Sequence, residues 1–140
     1  MTFDELFMEV AHTVAKKSKD RSTKVGCVIV GPDNEPRSFG WNGFARGVED
    51  DFDWRHERPE KYDWVIHAEA NAVANAARVG IPLKGCRAYV THMCCKNCAD
   101  ILIQSGICEV IVTNGVLVGD HGGDIATTKF YEAGVKVRGV

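Results

Sequence analysis

His67-Ala68-Glu69 and Cys95-Lys96-Asn97-Cys98 stand far apart in the chain, yet each opens a stretch of helix-forming sequence. One imidazole and two thiols suit a single borderline-soft cation. They can share it only in a fold that brings the starts of two helices together. That requirement removes most arrangements open to 140 residues. Cys95 and Cys98, three apart, fall on one helical face, so both sulfurs reach the same point.

The hydrophobic pattern predicts what surrounds these strings. Phe3, Leu6, Phe7, Val10 and Val14 recur at helical spacing behind a Thr2/Glu5 capping box, and this helix should fade near Lys16–Asp20. Val25–Val30 reads as a strand buried on both faces. A turn over Gly31–Pro36 leads to a partner strand, Arg37–Trp41, making a hairpin. Gly43 to about Val65 reads as one long loop, rich in charge and aromatics. Helix follows from His67, carried by alanines and closed by Gly80 and Pro82. Then come strand Arg87–Thr91, helix Cys95–Ser105, strand Cys108–Thr113, a short helix near Asp124–Ala133 and strand Val135–Arg138. Alternating strands and helices imply parallel pairing, so the expectation is one domain, 1–140: a three-layer α/β/α sandwich around a mixed five-stranded sheet.

Composition narrows the functional classes. A net charge of −2 argues against a basic nucleic-acid platform. No run reaches the ~18 apolar residues of a membrane helix, and the acidic N-terminus lacks a signal peptide's basic start. A cytoplasmic protein is expected, in which the six cysteines stay reduced. Cys27, Cys86 and Cys108 sit in strand-like apolar contexts and read as core; His12 and His121 read as surface or packing residues.

His67, Cys95 and Cys98 would hold Zn²⁺ at a net charge near zero and leave the fourth tetrahedral position for water. Such a site brings the pKa of that water to about 7. Glu69, two residues from His67, should not be a ligand and fits as proton shuttle. On a cytosine ring, water activated in this way attacks C4 while Glu69 carries protons to N3 and to the departing amine. Backbone groups of Ala68 and Cys95 are placed to hold the edges of the base. Together the strings nearly reproduce the H-x-E…P-C-x-x-C pattern of zinc nucleobase deaminases.

Competing readings account for less. A thioredoxin-like redox pair leaves His67 and Glu69 without a role. A closed structural zinc completed by Cys94 leaves Glu69 idle, and adjacent side chains rarely converge on one ion. His92 and Cys94 flank the strings and could hold a second, structural zinc.

The chain resembles the deoxycytidylate (dCMP) deaminases of the cytidine deaminase-like superfamily. The likeness runs through Asp20-Arg-Ser-Thr-Lys-Val-Gly26, Gly40-Trp-Asn-Gly43, Arg58-Pro-Glu-Lys-Tyr62, His67-Ala-Glu69 and Tyr89-Val-Thr91. It implies conversion of dCMP to dUMP and ammonia, feeding thymidylate synthesis. It also implies Asn42 as a nucleotide contact, homo-oligomers (hexamers or dimers), and dCTP or dTTP effectors acting with Mg²⁺. The family's proline before the first cysteine is Cys94 here, which bears on the pocket floor.

A nucleotide phosphate needs charged donors, and Lys24, Arg46, Arg58 and Lys61 are the candidates, each otherwise a solvated surface charge. Alternative substrates are 5-substituted dCMP, dCTP and deoxycytidine. A tRNA adenosine deaminase would want a basic face. A riboflavin-pathway deaminase would bring a reductase domain, and a silent effector-binding module would not need Glu69.

Overall fold

A computed structural model describes residues 1–113 and 122–140 of the chain. The expectation for His121 lies outside the described residues.

Helix α1 (Phe3–Ala15) starts at the expected capping box: the Thr2 hydroxyl accepts from the Glu5 N–H at 3.1 Å, and the Glu5 carboxylate accepts from the Thr2 N–H at 3.4 Å. Strand β1 (Gly26–Val30) is buried along its whole length. Its alternation divides the interior in two. Val28 and Val30 face Phe7, Met8, Ala11 and Val14 of α1. Cys27 and Ile29 face the opposite side, where α3 (Ala68–Val79), α4 (Lys96–Gln104) and α5 (Gly123–Glu132) pack. Helices therefore cover both faces, and the expected three layers are present.

Strand β2 (Pro36–Trp41) pairs antiparallel with β1, matching Cys27 to Gly40. On its other edge β1 pairs antiparallel with β5 (Arg87–Val90). From there β6 (Glu109–Val112) and β7 (Lys136–Gly139) add in parallel through α4 and α5, giving a mixed sheet ordered β2-β1-β5-β6-β7. Two glycines set the layer spacing. A Cβ on Gly26 would collide with the Ala11 carbonyl of α1, and one on Gly40 with the Ala72 amide of α3. Gly40, read from sequence as part of a nucleotide-binding motif, is thus where α3 seats against β2.

The segment expected to be a plain loop has structure of its own. Strand β3 (Gly43–Phe44) pairs antiparallel with β4 (Val65–Ile66), and between them lie a 3₁₀ turn (Asp53–His56) and the short helix α2 (Lys61–Trp64). Phe44 stacks on His56 with ring centroids 5.0 Å apart, Trp54 meets Trp64 edge-on at 5.8 Å, and the Arg55 guanidinium lies 3.8 Å above the Trp64 ring. This aromatic cluster orders a segment whose two-residue ladder is too short to leave a periodic signal. Among the described residues no helix is long and apolar enough to cross a membrane.

Candidate metal centre and cleft

Strand β4 runs directly into His67, which caps the N-terminus of α3 in an extended conformation. Cys95 caps α4 in the same way, its sulfur accepting the Cys98 N–H at 3.4 Å. The two helix starts meet. His67 Nδ1 lies 3.3 Å from Cys95 Sγ and 3.4 Å from Cys98 Sγ. With Zn–S near 2.3 Å and Zn–N near 2.0–2.1 Å, a tetrahedral site has N···S edges of roughly 3.6 Å. The donor set therefore fits zinc in kind and spacing. Among the described residues, the groups of three or more potential ligands within 4.8 Å are this one and the exposed run Glu49, Asp50 and Asp51.

Protons are unevenly shared in the cluster. A hydrogen bond from the Cys98 thiol, helped by His67 and the Cys98 N–H, pulls the Cys95 thiol far down. The same sulfur–sulfur bond pushes Cys98 up, and the Cys95 contact raises His67. A thiolate-bearing pair at a helix N-terminus gives up its protons readily to a divalent cation.

Glu69 sits one residue inside α3, 4% exposed. Burial pushes its carboxyl above the ordinary carboxylate range. Its neighbour is Cys94, fully buried and hydrogen-bonded to it. Cys94 therefore faces the proton-carrying candidate rather than His92. The second zinc expected at His92 and Cys94 gathers no third donor among the described residues, and His92 Nδ1 instead lies 3.2 Å from the Met93 carbonyl.

Next to the cluster opens a cleft of about 730 Å³, counting space continuous with solvent. His67, Ala68, Glu69, His92 and Cys95 line its buried end with the apolar side chains of Val25, Val65 and Met93; Arg58 and Tyr62 stand at the exposed end. Asn42 also lines it, but its amide is engaged: Oδ1 accepts from the Val25 N–H at 2.8 Å and Nδ2 donates to the Thr23 carbonyl at 2.9 Å. Asn42 thereby pins the segment before β1 to the end of β2.

The four basic candidates separate. Lys24 is exposed and lies outside the cleft lining, as does Arg46, which donates to Asn75 Oδ1 at 2.7 Å on α3. Lys61 lines the cleft but is no surface charge: it is 6% exposed and paired with Asp20 at 3.2 Å. Arg58 lines the cleft and donates from Nε to the Tyr62 hydroxyl at 2.8 Å. Sequence reading passed over Asp20, although it opens a quoted motif. Its carboxylate also accepts the Ser22 and Thr23 N–H groups.

Residues 1–114 match the model of the cytidine and deoxycytidylate deaminase zinc-binding region. The chain belongs to that family. Family membership makes it a zinc-binding deaminase. The mouse deoxycytidylate deaminase is 37% identical over 143 residues, an alignment covering 99% of this chain and 79% of the relative. A probable deoxycytidylate deaminase of Caenorhabditis elegans is 46% identical over 107 residues, covering 74% of this chain and 53% of the relative; the chain spans about half that protein. Among solved structures, the dCMP deaminase of cyanophage S-TIM5 in complex with dCMP and dUMP superposes with a TM-score of 0.81 at 24% identity, covering 100% of this chain and 99% of that one. At that identity the superposition speaks for the fold: this deaminase has the cytidine deaminase-like architecture.

Proposed function

We propose that this deaminase hydrolyses dCMP to dUMP and ammonia, as one domain spanning residues 1–140, with His67, Cys95 and Cys98 as zinc ligands and Glu69 as proton carrier. The observation that carries the reading is the juxtaposition of a buried carboxyl, a three-donor cluster and a nucleotide-sized cleft.

Zinc, when bound, supplies the Lewis acidity that makes a water nucleophilic near neutral pH. The protein's own groups manage the protons. Glu69 accepts the proton that water gives up as its oxygen bonds to C4 of the cytosine ring, and passes it to N3. It then takes the remaining hydroxyl proton and delivers it to the exocyclic nitrogen. The C4–N bond breaks, ammonia leaves and the C4 carbonyl of uracil forms. A carboxyl raised by burial suits this exchange, because neither protonation state is out of reach near neutral pH. The first-turn N–H groups of α3, including that of Ala68, lack helical acceptors and are suited to polar edges of the base. Val25, Val65 and Met93 offer it an apolar surface.

Regulation fits an adjoining hollow. Lys17, Lys19 and His56 line it with Trp41 and Phe44, and it shares Asp20, Asn42 and Val65 with the cleft. A dCTP or dTTP effector with Mg²⁺ suits that mix of cations and rings. A cytoplasmic homo-oligomer is the matching cellular form.

Ammonia release from the zinc-loaded protein, offered dCMP, dCTP, cytidine, deoxycytidine and 5-substituted dCMPs, tests the reading. Fastest turnover is expected for dCMP. No ammonia from any of the five overturns the assignment, and a preference for deoxycytidine replaces the nucleotide with the nucleoside.

A further inference from the structure

Burial and pairing leave one cation for a ligand at the mouth of the cleft. Lys61 has its charge balanced by Asp20, with both side chains below 10% exposure. Arg46 is turned onto Asn75, and Lys24 lies away from the cleft. Arg58 alone of the four is both on the cleft and solvent-exposed. Its Nε is held by the Tyr62 hydroxyl four residues on, at 2.8 Å. Among the described residues its two terminal nitrogens have no hydrogen-bond partner.

We infer that Arg58 is the phosphate-binding residue of this enzyme and Tyr62 the residue that positions it. This rests on the nucleotide reading of the cleft given above. A guanidinium presents its donors as a rigid fork that matches two oxygens of a phosphate, and fixing Nε settles the plane in which the remaining two donors lie. With the reactive carboxyl at the buried end and the fork at the exposed end, the cleft takes a base inward and its 5′-phosphate outward. The ligand class is a nucleoside monophosphate. A nucleoside would fill the buried end and leave the fork unused. The second tyrosine–arginine pair of the chain, Tyr89 with Arg87, differs: there the guanidinium also donates to the Gly31 carbonyl and Asn34 Oδ1 and is consumed by the fold.

The test compares kcat/KM for dCMP and deoxycytidine in wild type, Arg58→Gln, Arg58→Lys, Tyr62→Phe, Lys24→Ala and Arg46→Ala. A hydrogen bond to a charged group is worth about 1.5–3 kcal/mol, so Arg58→Gln should lower the dCMP value about 10- to 100-fold and leave deoxycytidine within about twofold. Arg58→Lys should recover part of the loss, since charge returns without the fork. Tyr62→Phe should raise KM for dCMP about three- to tenfold with kcat unchanged, as expected of a positioning residue. Lys24→Ala and Arg46→Ala should match wild type on both substrates. The inference is overturned if Arg58→Gln harms both substrates equally or neither, or if Lys24→Ala or Arg46→Ala is the variant that selectively harms dCMP. Calorimetric binding of dUMP and of deoxyuridine to wild type and Arg58→Gln reads the same fork without chemistry. A dUMP preference lost in the variant upholds the phosphate site even where no cytosine compound is deaminated, so failure of the reaction and failure of the site are told apart.

Discussion

The thiol of Cys94 donates a hydrogen bond to the carboxylate of Glu69 inside the protein, one residue ahead of a metal-ligand candidate. The family pattern has proline at this position, which cannot supply that donor. Cys94→Ala is expected to keep one zinc per chain and to lower kcat about fivefold, the worth of roughly 1 kcal/mol for a modest hydrogen bond. Cys94→Pro should likewise keep its zinc. Metal analysis beside steady-state assays checks both; an unchanged kcat in the alanine variant would show the contact to be idle.

Removing a ligand should act on metal and turnover together. His67→Ala and Cys98→Ala are each expected to emerge from desalting with well under one zinc per chain and no detectable ammonia release. Stoichiometric zinc in both variants would mean the ligand set is wrong.

Glu69→Gln separates proton transfer from metal binding. The amide is nearly isosteric and Glu69 is outside the ligand set, so zinc content and thermal stability should match wild type. Turnover should fall about 10²–10⁴-fold, the usual contribution of a positioned acid–base group. A variant within a few-fold of wild type would take Glu69 out of the mechanism.

The buried Asp20–Lys61 pair offers a stability test with a pH signature. Burial alone would push the Asp20 carboxyl up, but the Thr23 and Ser22 N–H groups and the Lys61 ammonium outweigh it and hold it below its ordinary value. A carboxyl lowered in the folded state contributes stability above its unfolded pKa, about 3.9, and loses it as pH falls through the folded value. Lys61→Met should cost about 3 kcal/mol near pH 7 by stranding the carboxylate. The deficit should shrink below about pH 4, where that carboxylate takes up a proton. Urea unfolding at the two pH values measures it, with Asp20→Asn/Lys61→Met expected to recover much of the loss at pH 7.

Local signals carried most of the architecture. The unbroken apolar run of β1, the alanines of α3 ended at Gly80 and the capping box at Thr2 each depend on neighbours in sequence, and each forms where the pattern predicts. The metal cluster was legible for the same reason, since a motif at a helix start fixes its own geometry. Distant pairings were not. Lys61 reads as an exposed cation until Asp20, far away in sequence, is folded against it. Asn42 reads as a ligand contact until Thr23 and Val25 claim both ends of its amide. The 43–66 segment hides its order because rings, rather than a ladder, hold it together.

That aromatic knot has a consequence for how this enzyme can diverge. The donors of the metal cluster ride on α3 and α4, which are locked into the main interior, whereas Arg58 and Tyr62 belong to a segment folded around its own rings and joined to α3 through β4. Chemistry and recognition are in this way built as separate modules. A lineage, or an engineer, could rewrite residues 45–62 to read a different group on the sugar while leaving the hydrolytic apparatus untouched.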